Sequence, residues 1–147
     1  MNIFIGEFAY SMDEKGRVAI PAKFRAEFAT GCVVTRGLDN SLVVYSQNEW
    51  NKMATKLAAL PFSSSDARAF SRLMLSGAME VEIDKQGRIL VPEYLRDYAG
   101  LKTQVVVCGV YNRLEIWAEN NWRDYKSDTE DKAVTIVEEL NEKNIQI

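Results

Sequence analysis

The chain is expected to adopt an α+β fold: two tandem, pseudo-symmetric units, each a β-hairpin with a short helix, packed as one domain with a helical linker and a C-terminal helix. Three observations predict it. The segment from Asp13 to Ala29 returns 71 residues later as Asp84 to Gly100. Each copy opens on an Asp-x-x-Gly turn set between apolar, β-rich runs. Between and after the copies, apolar residues shift to helical spacing.

The repeat aligns DEKGRVAIPAKFRAEFA with DKQGRILVPEYLRDYAG, and five of the 17 positions are identical: the Asp, Gly, Arg, Pro and second Arg. After a one-residue insertion it resumes at an offset of 72, Val33 to Trp50 over Val105 to Trp122, with Gly37 over Gly109, Asn40 over Asn112 and Trp50 over Trp122. Two copies are too few for a solenoid, so the halves should bury a shared core. The divisions that follow are residues 1–50 for the first repeat, 51–78 for the linker, 79–122 for the second repeat and 123–147 for an acidic tail.

Within the first unit, Met12 and Val18 to Ile20 flank Asp13-Glu14-Lys15-Gly16; in the second, Val81 to Ile83 and Ile89 to Val91 flank Asp84-Lys85-Gln86-Gly87. The Asp can accept from turn amides and the Gly supplies positive φ, so each reads as a local hairpin that needs only those two residues. Pro21 and Pro92 suit the first position of a helix, whose inward face carries Phe24 and Phe28 or Leu95 and Ala99, closed by Gly31 and Gly100. Two strands follow in each half: Cys32 to Arg36 with Leu42 to Tyr45, and Gln104 to Gly109 with Leu114 to Trp117. Ser46 and Glu49 suggest a capping box before Trp50, Met53, Ala54, Leu57 and Leu60, a helix stopped by Pro61. A polar stretch, Phe62 to Ser65, leads to a second helix with Phe70, Leu73 and Met74, ending near Gly77. The tail spaces Val134, Val137 and Leu140 along one helical face among acids, fit either to dock on a neighbouring subunit or to fray.

Composition narrows the function. The net charge is −3 and the pI about 5.1, which opposes a broadly basic nucleic-acid surface. The acidity lies mostly in the tail: residues 123–147 hold 4 basic and 7 acidic side chains, against 7 and 6 in 1–60 and 7 and 8 in 61–122. Any DNA site must therefore be a local patch. There is no histidine, which removes Ser-His, Cys-His and His-ligated metal chemistry, and no glycine-rich phosphate loop. Neither an enzyme nor a bound metal, cofactor or small-molecule substrate is expected. Glu80, Glu82 and Asp84 alternate with Val81 and Ile83 as the wet face of a strand does. Cys32 and Cys108 sit in apolar strand-like runs and read as buried thiols, with a disulfide the minor alternative. No run of about 18 apolar residues is present, and Met1 to Tyr10 has neither a basic segment nor an apolar signal core, so a cytoplasmic protein is expected.

The segments GEFAYSMDEKGRVAIPAKFR, RAFSRLMLSGAMEVEIDKQGRILVPEYLRDYAGL and VYNRLEIWAENNW resemble the MraZ family, over nearly the whole chain to about Trp122. The resemblance implies AbrB-like swapped hairpins completed within one chain. It implies a transcriptional regulator, cytoplasmic and nucleoid-associated, that forms a homo-oligomeric ring, octamer or larger. It further implies binding to short direct repeats of double-stranded DNA in the promoter of the division and cell-wall gene cluster. The family's DNA-contacting Lys and Arg of Asp-x-x-Gly-Arg correspond to Lys15 and Arg17, and to Arg88. In the second copy Gln86 stands in the lysine position, with Lys85 beside it. Arg25 and Arg96, also matched, read as structural, through an ion pair or an inter-subunit contact. The alternative is an AbrB-like antitoxin or other DNA-binding interaction protein whose tail neutralises a partner.

Overall fold

The architecture follows from one exchange of strands between the two repeats. The computed structural model describes residues 3–147. The first copy supplies β1 (Phe4–Ser11), β2 (Arg17–Ala19), a 3₁₀ helix (Ala22–Phe28), β3 (Cys32–Arg36) and β4 (Leu42–Ser46), followed by α1 (Gln47–Ala58) and α2 (Ser65–Gly77). The second supplies β5 (Met79–Val81), β6 (Arg88–Leu90), α3 (Glu93–Ala99), β7 (Gln104–Tyr111) and β8 (Arg113–Ala118), followed by α4 (Glu119–Asp131) and α5 (Ala133–Glu142). The mixed helix and antiparallel sheet is the expected α+β class.

The local hairpins do not form as expected. The chain before each turn leaves its own copy: β1 pairs with β7, and β5 pairs with β3. After the turns, β2 pairs antiparallel with β6, Val18 directly opposite Ile89. The result is a six-stranded sheet in the order β1-β7-β8-β4-β3-β5, pseudo-symmetric about the β8–β4 junction, and a separate two-stranded ribbon, β2-β6. Each turn is still closed locally, by Gly16 N–H to Asp13 C=O at 3.0 Å and Gly87 N–H to Asp84 C=O at 3.0 Å. What a turn cannot dictate is which strand its flanks then pair with.

The core fills the space between ribbon and sheet. Val18, Ile20, Ile89 and Val91 are fully buried against Val34, Val44, Val105, Val107, Leu114 and Ile116, with Phe24, Phe28 and Leu95 from the short helices. Phe4, brought in by the exchanged β1, meets Phe24 edge-on at 4.9 Å and stacks on Phe28 at 5.4 Å. The far side of the sheet is covered by α1 and α2, which bury Val43 and Tyr45 beneath Leu57 and Met74, and by α4, whose Trp122 packs on Trp117. Thr35, buried there, donates to the Met74 carbonyl at 2.6 Å and ties α2 to β3. Cys32 belongs to the inner core and Cys108 to the outer layer; both are free thiols, pushed up to about 12 by burial.

Four further readings are corrected. Cys32 faces Ser46 and Val105 faces Ala118, so β3 and β7 correspond at an offset of 73, one more than the sequence alignment assumed. In a strand that slip exchanges the two faces. Gly109 accordingly lies inside β7, where a Cβ would come within 2.5 Å of the Ile5 backbone nitrogen, and its counterpart is Arg36 rather than Gly37. Pro21 and Pro92 stand at the N-caps, one residue outside their helices. Ala29, not Gly31, caps the first of these helices, while Gly100 caps α3 at φ +62° as expected. The helical segment after the second repeat begins at Glu119, well before Val134 and ahead of the tail boundary at residue 123. Ser46 does cap α1, its Oγ accepting from Glu49 N–H at 3.3 Å. The final helix, α5, leaves Val134, Ile136 and Val137 exposed.

Candidate nucleic-acid interface

Each turn is organised by its aspartate. Asp13 Oδ1 accepts from the Lys15 and Arg17 amides at 3.0 and 2.8 Å, and Oδ2 accepts from Arg17 Nε at 2.7 Å. Asp84 repeats the pattern with the Gln86 and Arg88 amides, both at 2.9 Å, and Arg88 Nε at 3.0 Å. The Arg17 and Arg88 amides, with the guanidiniums reinforcing them, hold both carboxyls below the usual range. The arginine is thus part of the turn, contrary to the reading that Asp and Gly suffice. Pairing through Nε fixes the side chain's direction and leaves its Nη edge pointing onward.

Register then decides which way the arginines face. Across the ribbon Arg17 lies opposite Leu90, and Ala19 opposite Arg88. Directly paired residues share a face, so these four form one side, while Val18 and Ile89 form the buried side. Arg17 and Arg88 converge diagonally: Arg88 Nη1 comes to 3.5 Å from Asp13 Oδ2, the same oxygen that holds Arg17. Their side chains are 32% and 29% exposed, and the Nη edge of Arg17 meets no acceptor among the described residues. Lys15, exposed, stands at one end of the ribbon, and Lys85 and Gln86, also exposed, stand at the other. Arg17 and Arg88 therefore share one face built from both repeats, with Lys15, Lys85 and Gln86 exposed in the turns that flank it.

Within the chain, Arg25 and Arg96 are held by backbone carbonyls rather than by an ion pair. Arg25 Nε donates to the Ile20 carbonyl at 2.9 Å, and Arg96 Nε to the Val91 carbonyl at 3.0 Å. Each guanidinium lies over the turn glycine of the opposite copy: a Cβ on Gly87 would sit 2.1 Å from Arg25 Nε, and one on Gly16 would sit 2.7 Å from Arg96 Nε. The identical Gly and second Arg of the repeat are a single contact, made twice across the pseudo-twofold. The two turns and these covering arginines together carry six basic side chains (Lys15, Arg17, Arg25, Lys85, Arg88, Arg96) and three acidic ones (Asp13, Glu14, Asp84). Within these turns and their covering arginines, basic side chains outnumber acidic ones two to one, although the chain as a whole is acidic.

A concavity of about 550 Å³ lies on the opposite side of the sheet between α1–α2 and α4, lined by Tyr45, Phe70, Trp117 and Trp122 among others. Among the described residues no cluster of His, Cys, Asp or Glu could hold a metal ion, and no helix is long and apolar enough to cross a membrane.

Comparison with known proteins agrees with the duplicated architecture. The family model described as "MraZ protein, putative antitoxin-like" matches residues 3–73 and again 74–143. The chain is 52% identical over 138 residues to the protein named transcriptional regulator MraZ of Natranaerobius thermophilus, covering 94% of this chain and 96% of that one. Over 143 residues it is 48% identical to the one of Thermoanaerobacter pseudethanolicus, covering 97% and 100%. Over 138 residues it is 47% identical to the one of Acetivibrio thermocellus, covering 94% and 96%.

Proposed function

This chain belongs to the MraZ family, and we propose that it is a DNA-binding transcriptional regulator, not an enzyme, which reads short direct repeats in the promoter of the division and cell-wall gene cluster. The observation that carries the reading is the convergence of Arg17 and Arg88 on one outward face of a two-stranded ribbon. A ribbon fits the major groove, and an arginine held by its Nε can turn its Nη fork to guanine O6 and N7 or clamp a phosphate. Lys15, Lys85 and Gln86 flank the fork at the two ends.

The protein acts as a closed ring, octamer or larger. Two features support this. The two halves of the chain are alike but not identical, which suits head-to-tail contacts that close by rotation. The apolar side chains of α5 are left uncovered within the monomer, as a subunit contact requires. With only a small positive excess per ribbon, affinity arises from several ribbons engaging successive repeats at high effective concentration. The antitoxin alternative, a dimer whose tail neutralises another protein, would lack this dependence on repeat number.

A band-shift series on DNA from upstream of the chain's own gene tests the reading. A fragment with several repeats is expected to bind far more tightly than one with a single repeat. Log K should fall with log salt at roughly −0.9 per phosphate neutralised, hence by several units overall. Equal affinity for both fragments, with a shallow salt slope, would contradict multivalent DNA reading.

A further inference from the structure

The outward face of the ribbon carries one side chain that neither the turn nor the core explains. Leu90 is 52% exposed, while its neighbours Ile89 and Val91 are completely buried. A single exposed leucine is ordinary on a protein surface. Its position here is not: it lies directly opposite Arg17, on the face where Arg17 and Arg88 converge. The matching position in the first copy, 71 residues earlier, is Ala19, directly opposite Arg88. The ribbon's two ends therefore differ in kind. One presents Lys15, Arg17 and Leu90; the other presents Lys85, Gln86, Arg88 and Ala19.

In the major groove thymine alone offers an apolar group, its C5 methyl, and an arginine fork selects guanine. A leucine beside such a fork is placed to bury that methyl; the alanine at the other end is three carbons smaller and two bonds shorter, and reaches less far. We propose that Leu90 is a specificity-determining residue, packing on the methyl of a thymine adjacent to the base read by Arg17. This contact gives the pseudo-twofold ribbon a direction on DNA. A symmetric ribbon would favour an inverted site. An asymmetric one orients every subunit the same way along direct repeats.

The inference rests on the DNA reading above, and its test separates the two. The probe is the duplex footprinted by the wild-type protein upstream of its own gene, with each thymine in one repeat replaced in turn by deoxyuridine, which removes the methyl alone. Burying one such group is worth about fourfold in affinity. Wild type is expected to lose about that factor at one thymine of the repeat. Leu90→Ala is expected to bind the parent duplex several-fold more weakly, with melting temperature and assembly mass unchanged, and to be indifferent to deoxyuridine at that position. If Leu90→Ala binds like wild type, or keeps the full deoxyuridine penalty, the assignment of Leu90 is overturned while DNA binding stands. If wild type retards no upstream duplex at all, both readings fall.

Discussion

Arg17→Ala and Arg88→Ala are each expected to weaken binding to the DNA repeats severely while leaving a folded protein of unchanged assembly size. Loss of a bidentate base contact costs about 1–3 kcal/mol, about 5- to 150-fold per ribbon, and the losses compound when several ribbons bind together. The folding cost is small by comparison. Asp13 keeps its two amide donors when Arg17 is removed, and an ion pair between partly exposed groups is worth about 0–1 kcal/mol. For a chain of this size that is a melting shift of no more than about 4 °C. Arg17 should be the more sensitive position. Lys15 stands beside it, and its Nη edge is free, whereas Arg88 already directs Nη1 toward Asp13. Arg17→Lys sharpens the test, since one ammonium cannot both pair with Asp13 and present a planar fork. That variant should retain salt-sensitive affinity for any DNA yet lose its preference for the repeats over unrelated sequence. Affinities and melting curves measured together decide the point: full affinity in Arg17→Ala, or affinity lost only through unfolding, would make the arginine structural.

A large effect on stability is expected at Gly87. Its φ of +80° costs a residue with a Cβ about 1–2 kcal/mol, and the Cβ of Gly87→Ala would occupy the place of the Arg25 guanidinium. The guanidinium can swing away, but only by releasing the Ile20 carbonyl, a charge-assisted bond worth about 1.5 kcal/mol or more. The sum is about 3 kcal/mol, equivalent to roughly 10 °C in melting temperature. Adding Arg25→Ala removes the collision but not the φ strain. The double variant should therefore be less destabilised than the sum of the two single ones, measured by denaturant unfolding. Strict additivity would mean that the guanidinium does not rest on the glycine.

Much of this was legible in the chain because the repeat preserves the residues that build the turns. Asp13, Gly16 and Arg17 recur as Asp84, Gly87 and Arg88, and the apolar runs around them mark strands. What escaped was partnership. A turn signal implies a neighbour a few residues away, yet Val18 pairs with Ile89 from the other copy, a choice made by the shared core. The recurrence of Arg25 and Arg96 was visible, but their acceptors are carbonyls and their floor is the other copy's glycine, neither of which a side-chain pattern encodes. Leu90 looked like one more apolar strand residue in Ile-Leu-Val; only register turns it outward. The start of α4 was missed because polar residues from Arg123 onward obscure the helical face begun by Trp122.

Lysine footprinting of the complex tests most directly whether one face built from both repeats meets DNA. Lys15 and Lys85 are exposed at opposite ends of the ribbon, while Lys56 and Lys143 are exposed on helix α1 and beyond the end of α5. Acetylation of the free and DNA-bound protein, read by mass spectrometry, should show Lys15 and Lys85 protected together by the upstream repeats, with Lys56 and Lys143 modified equally in both states. Protection of Lys56 or Lys143 with Lys15 and Lys85 left reactive would place the DNA elsewhere and contradict the account.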